Sequence, residues 1–237
     1  MKTLYGFITF LIILFLSLSV TLAAEVSSTL NVNSAYVWRG ITFNDGFVVQ
    51  PSIDVASKGF GVNVWANMDI DDYNDTLEEH EFSEVDITLK YSMDFKMLSV
   101  DLGCIQYLFP AGAHGTRELY ISLGITPIDN FTTTLNANYD FDEIDDFYIS
   151  FVAAYNIEIM SKLNASLSAS VGYIGKDMSL GEDAGLNDYQ FSLSSTYSAT
   201  DALSFSIFVA YTNNFDDKVL PKQDVDLFGG IIINYVM

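Results

Sequence analysis

Residues 163–173 read L-N-A-S-L-S-A-S-V-G-Y, a run in which apolar and polar side chains alternate without a break. A period of two residues is typical of a β-strand, because successive side chains of a strand point to opposite faces of the sheet. A strand of about 9 to 11 residues can cross a lipid bilayer at a tilt, whereas strands of soluble proteins average about five or six residues. The run therefore predicts a membrane-spanning β-strand.

Runs of the same kind recur along the chain. They cover residues 28–39, 48–57, 60–68, 85–91, 98–104, 119–125, 131–139, 147–155, 163–173, 189–197, 203–211 and 225–237. We therefore predict an all-β fold, an antiparallel up-and-down transmembrane β-barrel of about twelve strands formed by residues 25–237. A soluble β-sandwich also buries one face of every strand, so the alternation alone leaves that alternative open.

Aromatic residues at the ends of the apolar stripes favour the barrel. Tyr36, Trp38, Tyr139, Phe147, Tyr173, Tyr189 and Tyr211 fall at one end, and Phe60, Tyr91, Phe131, Tyr155, Tyr197 and Tyr235 fall at the other. Two such belts mark the two interfaces between lipid and water.

The connections between the runs alternate in length and charge. Short links such as S-K-G at 57–59 follow the even-numbered runs, while longer links rich in Asp and Glu follow the odd-numbered runs. Outer-membrane barrels have short periplasmic turns and longer external loops. In lipid every backbone group must pair, so the first and last strands are expected to close the barrel.

The N-terminus predicts export. Lys2 is followed by an apolar run over residues 4–22 and by the small residues Ala23 and Ala24. We interpret residues 1–24 as a cleaved signal peptide, with an uncleaved membrane anchor as the alternative. Together with the barrel pattern, this predicts the outer membrane of a Gram-negative bacterium.

Composition excludes several classes of function. The chain has 31 acidic and 10 basic residues and a formal charge of -21, which disfavours binding to nucleic acid because phosphate contacts need clustered Lys and Arg. A lone cysteine, Cys104, excludes an internal disulfide and a cysteine-based zinc site. We predict no cofactor and no metal site.

Two features could carry other chemistry. Residues 69–79, D-I-D-D-Y-N-D-T-L-E-E, resemble a calcium loop in charge, but Tyr73 and His80 occupy positions where an EF-hand has ligands. We interpret this stretch as a solvated loop that divalent ions bridge to lipopolysaccharide. His80 and His114 fall in predicted outer loops without the strand placement of a Ser-His pair, so we predict that the protein is not an enzyme.

Polar faces of the strands are expected to line a wet lumen. The pore-lining residues that we predict are Arg39, Asp54, Trp65, Asp86, Lys90, Asp101, Glu118 and Asp226. Arg39 is expected to face Asp226 across the closing seam, either as ordinary charge pairing or as part of a constriction that sets selectivity.

Residues 34–54, S-A-Y-V-W-R-G-I-T-F-N-D-G-F-V-V-Q-P-S-I-D, and residues 58–69, K-G-F-G-V-N-V-W-A-N-M-D, resemble the opening of the TorF family of porin-like outer-membrane proteins. The stretch T-R-E-L-Y-I-S-L-G at 116–124 is similar to a later strand of that family. The resemblance implies an outer-membrane barrel in which Tyr36 and Trp38 belong to the aromatic belt and Gly40 to a turn.

We therefore expect a porin-like channel through which small hydrophilic solutes, cations or neutral molecules by preference, diffuse passively. The alternative is a non-conducting structural or surface-interaction barrel. The expected partners are outer-membrane lipid and lipopolysaccharide, the barrel assembly machinery and the permeating solutes.

Overall fold

The computed structural model of the protein describes residues 24–71, 80–110, 112 and 114–237. The predicted signal peptide, residues 1–24, lies outside this part of the chain except for Ala24. In the described residues no helix has the length and apolar character that a membrane crossing requires.

Twelve antiparallel strands form a closed barrel, which confirms the predicted fold and strand number. The barrel strands are β1 Glu25–Asn33, β4 Val48–Ser57, β5 Phe60–Asp69, β6 Phe82–Phe95, β7 Leu98–Leu108, β8 Thr116–Ile128, β9 Phe131–Asp140, β10 Asp146–Met160, β11 Leu163–Ile174, β12 Gly185–Ser198, β13 Leu203–Asn214 and β14 Leu227–Val236. Each strand pairs with its neighbour in sequence, and β1 pairs with β14 to close the barrel. Because the barrel is closed, each of its described strands has a paired neighbour on both sides.

Side chains alternate between the two faces of the wall as the sequence predicts. Leu89, Leu167 and Ile207 lie on the outer face and are 58%, 49% and 62% exposed. The inner face is polar, and neighbouring strands hydrogen-bond across it, as between Thr196 and Ser206 at 2.8 Å. An apolar outer face and a polar inner face suit a barrel surrounded by lipid.

The connections separate the barrel into two ends. Short turns, residues 58–59, 96–97, 129–130, 161–162 and 199–202, lie at one end, which we call the short-turn end. Longer segments lie at the other, which we call the long-loop end; their described residues are 34–47, 70–71, 80–81, 109–110, 112, 114–115, 141–145, 175–184 and 215–226.

The aromatic belts are present on the outer face, with two corrections. Phe147 stacks beside Tyr173 at the long-loop end, with ring centroids 6.2 Å apart, and Phe60 lies 4.6 Å from Tyr91 at the short-turn end. Tyr36 and Trp38 do not belong to a belt: β1 ends at Asn33, and both aromatic residues lie in a separate strand, β2 Tyr36–Trp38. The first predicted run, 28–39, is therefore too long at its C-terminal end.

The last two long segments fold over the long-loop end. The amide of Glu182 donates to the Lys218 carbonyl at 2.7 Å, and the Gly181 amide donates to the Val219 carbonyl at 3.0 Å. Leu220 of the last segment is fully buried, and Met178 of the other segment packs with Tyr148 in a small apolar cluster. These segments form an ordered cover over part of the barrel mouth.

Candidate functional site

The first long segment forms a hairpin of its own. β2 pairs with β3 Ile41–Asn44, and the pair Trp38 and Ile41 is closed by the two residues Arg39 and Gly40. Both central residues have positive φ, 51° and 77°, the pattern of a type I′ turn whose twist matches that of paired strands. The turn places the Arg39 side chain at the tip of the hairpin.

This hairpin lies inside the barrel. Its residues contact barrel strands that are far apart around the wall: Tyr36 contacts Trp65 and Glu84, and the Arg39 carbonyl accepts from Asn187 Nδ2 at 2.8 Å. A segment can reach β5, β6 and β12 of one closed barrel together when it occupies the lumen. Glu84 and Asn187 are each the third residue of their strand, counted from the long-loop end. The hairpin therefore fills the lumen near that end.

Arg39 forms a buried ion pair with a wall residue inside the barrel. Its two terminal nitrogens donate to the two oxygens of Glu118, both at 2.7 Å, and the two side chains are 8% and 2% exposed. Glu118 also accepts from the Tyr107 hydroxyl and from Asn138 Nδ2, both at 3.0 Å. A carboxylate buried in this way needs the guanidinium and the added donors to offset its lost hydration.

Aromatic rings hold the guanidinium from two sides. The Arg39 Cζ atom lies 4.0 Å from the ring centroid of Trp38 and 4.6 Å from that of Tyr148. Cation–π contacts at these distances are favourable when water is excluded. Trp38 belongs to the hairpin and Tyr148 to the barrel wall, so contacts with both the hairpin and the wall hold the guanidinium at the tip.

The predicted pairing of Arg39 with Asp226 is wrong. Arg39 pairs with Glu118 on β8, and Asp226 is an exposed residue immediately before β14. The prediction followed from extending the first strand to Arg39, which placed the side chain beside the closing seam. Because the chain turns inward after Asn33, the guanidinium reaches the opposite wall.

Tyr36 fixes the base of the hairpin. Its hydroxyl donates to Glu84 at 2.8 Å, and its ring stacks on Phe43 with centroids 5.2 Å apart. Burial, and next the Glu84 carboxylate, raise the pKa of the Tyr36 phenol well above its ordinary value. The phenol therefore stays protonated and remains a hydrogen-bond donor.

A chain of buried amides and a carboxylate connects the hairpin to the wall. Asn33 donates to Gln50 at 2.8 Å, Gln50 donates to Asn67 at 2.9 Å, and Asn67 donates to Asp69 at 3.0 Å. Asn44, the last residue of β3, donates to the same Asp69 oxygen at 2.8 Å. Both ends of the inward segment are thus tied to the inner face of β1, β4 and β5.

Nearer the short-turn end than the hairpin, the lumen contains a space of about 470 Å³, which we call the lumen cavity. Asp54, Lys90 and Asp101 line it, together with the polar residues Asn63, Thr88, Tyr120, Ser122, Asn136 and Asn138 and the apolar residue Ile105. Lys90 lies 3.4 Å from Asp54, and Asp101 accepts a hydrogen bond from Ser92. Three of the predicted pore-lining residues therefore meet in one part of the lumen.

Two further predicted residues lie at the level of the hairpin. Trp65 and Asp86 are paired across β5 and β6, and the Trp65 ring centroid is 5.7 Å from that of Tyr36. They contribute to the wall against which the hairpin packs.

A second space, which we call the mouth cavity, lies between the hairpin and the long-loop end and measures about 290 Å³. Trp38, Ile41 and Phe43 form its hairpin side, and Phe109, Met178 and Leu180 reach it from the long segments. His114 also lines this space. The acidic stretch 69–79 falls mostly on residues 72–79, outside the described part of the chain.

Sequence reasoning missed the hairpin and with it Tyr107, Tyr148 and Asn187. The available signal was the stretch W-R-G-I, in which a two-residue link that ends in glycine joins two short alternating runs. An alternating run does not show whether its apolar face meets lipid or the lumen, so Tyr36 and Trp38 fitted the belt equally well.

Solved structures share this fold. The KdgM porin matches with a TM-score of 0.56 and 8% identity over 89% of this chain and 98% of its own. The NanC porin matches with a TM-score of 0.56 and 11% identity over 91% and 100%. The COG4313 outer membrane channel from Pseudomonas putida F1 matches with a TM-score of 0.52 and 8% identity over 92% and 97%. At these identities the likeness establishes the barrel fold.

No curated protein matches the chain in sequence. A family model does match, over residues 19–226, which include nearly the whole barrel and the inward hairpin. The chain belongs to the family described as "Bacterial protein of unknown function (Gcw_chp)".

Proposed function

We propose that the protein is a porin-like channel of a Gram-negative outer membrane, through which small hydrophilic solutes diffuse passively. The observation that carries this proposal is a closed barrel with a lipid-compatible outer face and a polar lumen cavity of about 470 Å³. Solved barrels of this fold include porins, which supports the same function. The long-loop end then faces the cell exterior and the short turns face the periplasm.

The inward hairpin is the constriction of this channel. Arg39 and Glu118 lie between the mouth cavity and the lumen cavity: both line the former, and Asn138, a donor to Glu118, lines the latter. A solute that crosses the barrel must pass beside this ion pair. Charged groups at a narrow point set both the size limit and the ion preference of a pore.

Charge in the lumen supports a preference for cations. Asp54 and Asp101 face the lumen cavity with Lys90 as its basic residue. Near the hairpin, Glu84 accepts from Tyr36, Asp188 accepts from Tyr148, and Glu118 pairs with Arg39. Excess carboxylate attracts cations, and salt screens the attraction beyond about 8 Å at physiological ionic strength.

A non-conducting barrel is the second candidate, and the burial of the hairpin favours it. Asn44, Asn67 and Asn187 are 0% exposed although they face the lumen. In this second function the hairpin closes the lumen, and the barrel serves as a surface scaffold whose long segments make contacts outside.

Conductance of the purified protein in planar bilayers separates these two functions. We expect discrete steps of current. In a potassium chloride gradient, the sign of the reversal potential should indicate a preference for cations, and its magnitude should fall as the salt concentration rises. Asp54→Asn with Asp101→Asn should move the reversal potential toward zero, and Asp201→Asn, at an exposed short turn, should leave it unchanged. No steps would favour the scaffold, and anion preference would refute the charge argument.

The same proposal includes five further points about the protein. We propose that it is cleaved after residue 24, is assembled by the barrel assembly machinery and contacts lipopolysaccharide. We also propose that it has no enzymatic activity and belongs to the TorF group. The stretch at residues 34–54 supports the last of these.

A further inference from the structure

The mouth cavity has apolar walls, and because it lies inside the barrel mouth, lipid cannot cover them. Phe43 is 38% exposed and Leu180 is 54% exposed, and both line the cavity inside the barrel mouth. Exposed apolar side chains on the outer wall meet lipid, but these meet water. An apolar surface that stays open in a polar mouth is typical of a ligand site.

The side chains around this surface are arranged by the hairpin and by three long segments. Trp38 and Ile41 come from the hairpin, Phe109 from segment 109–115, Ile144 from segment 141–145, and Met178 from segment 175–184. Met178 is held in place because it packs against Tyr148 and Ile174. The walls are therefore fixed by the same contacts that hold the hairpin.

Charge around the cavity is negative. Its lining contains the carboxylates Glu84, Glu118, Asp140 and Glu143 and one guanidinium, that of Arg39. The Arg39 guanidinium is paired with Glu118, to which both of its terminal nitrogens donate hydrogen bonds. Glu143 lies exposed at the rim, so a carboxylate remains available beside the apolar walls. Anionic ligands would be repelled, and a cation would be attracted.

We propose that the mouth cavity binds a small organic cation that has an apolar body, such as a primary amine attached to an aromatic or branched aliphatic group. The cavity of about 290 Å³ matches the lower end of small-molecule sites, about 300 Å³. The apolar body lies against Trp38 and Phe43, and the ammonium group points to Glu143 at the rim. This inference rests on the proposed channel, for which the cavity is the outer binding site.

Calorimetric titration of the full-length protein in lipid nanodiscs tests the proposal with four probes. Phenethylammonium has both features, 2-phenylethanol lacks the charge, 3-phenylpropanoate reverses it, and ethylammonium lacks the apolar body. We expect saturable binding of phenethylammonium and binding at least about tenfold weaker, roughly 1.4 kcal/mol, for the other three. Equal binding of 2-phenylethanol would overturn the proposal, as would no saturable binding of phenethylammonium.

Variants separate the cavity from partition into lipid. Leu180→Trp fills the cavity from an exposed position and should weaken phenethylammonium binding at least about tenfold, and Glu143→Gln should weaken it by a few fold. The matched control, Asp183→Asn, removes an exposed carboxylate of the same long segment and should bind as the parent does. Binding that Leu180→Trp leaves unchanged would refute this site.

The binding experiment and the conductance experiment can fail independently of each other. Conductance without phenethylammonium binding refutes the cavity proposal and leaves the channel standing. Saturable binding that depends on Leu180 and Glu143, in a barrel that shows no conductance, supports the cavity and refutes the channel.

Discussion

At the scale of single residues, Arg39 joins the hairpin to three strands of the wall, β8, β10 and β12. It pairs with Glu118 and lies between the rings of Trp38 and Tyr148, while its carbonyl accepts from Asn187. Removal of the guanidinium would leave the Glu118 carboxylate buried without its counter-charge. The loss of one partner of a buried pair costs more than the pair contributes, because the remaining charge stays desolvated.

We therefore expect Arg39→Ala to lower the free energy of unfolding by about 3 kcal/mol, and Arg39→Lys to fall short of full rescue because an ammonium group cannot form the bidentate pair. Urea unfolding followed by tryptophan emission measures this directly, because Trp38 is in the hairpin and Trp65 contacts it. The control is Arg117→Ala, since Arg117 pairs with Asp142 in solvent and should matter little. Equal effects of the two alanine variants would contradict the buried-pair account.

A substitution at Gly40 tests how tightly the hairpin tip packs against Asp188 and Leu220. A Cβ atom at this position would lie 2.5 Å from the Asp188 Cβ and 2.9 Å from Leu220 Cδ2, and φ is 77°. Gly40→Val should therefore push the tip out of place while the barrel still forms, because valine neither fits nor adopts this backbone conformation readily. We expect a shift of Trp38 emission toward longer wavelength and larger conductance steps. Emission and conductance like those of the parent protein would show that the tip is loosely held.

At the scale of elements, the alternation in the sequence predicted the twelve barrel strands, although the first predicted run extended past Asn33. Leu167 and Ser168 lie on opposite faces of β11 because period two fixes the faces of any strand. The hairpin could not be predicted in the same way. Glu118 is 79 residues from Arg39, and nothing in the local pattern of either residue indicates that they meet. Likewise Lys90 meets Asp54 through the register of three strands, which the sequence does not show.

Adjacent positions on β6 test the assignment of faces. Leu89 is exposed on the outer face, and Thr88 lines the lumen cavity. We expect Leu89→Arg to destabilise the barrel by about 2 to 4 kcal/mol, since arginine must then enter hydrocarbon, and Thr88→Arg to be tolerated in the wet lumen. The measurement is the yield of folded, heat-modifiable protein on gels together with urea unfolding in lipid vesicles. Similar losses for the two variants would refute the assignment.

At the scale of the whole molecule, the two ends of the barrel predict its orientation. Asp183 lies exposed in a long segment, and Asp129 lies exposed in a short turn. In a Cys104→Ala background, Asp183→Cys should react with a membrane-impermeant maleimide on intact cells, and Asp129→Cys should react after the outer membrane is opened. Surface labelling of Asp129→Cys would reverse the orientation and place the hairpin at the periplasmic end.

A barrel channel that is narrowed by its own inward hairpin should conduct more when the hairpin is removed. Asn33 and Val48 are paired directly in β1 and β4, so residues 34–47 can be replaced by an Asn-Gly turn that joins the same two strands without the hairpin. The decisive measurement is the single-channel conductance of this variant beside that of the parent protein in planar bilayers. We expect the variant to form the same barrel, as judged by circular dichroism and heat modifiability, and to conduct severalfold more. An unchanged conductance in a correctly folded variant would contradict the account.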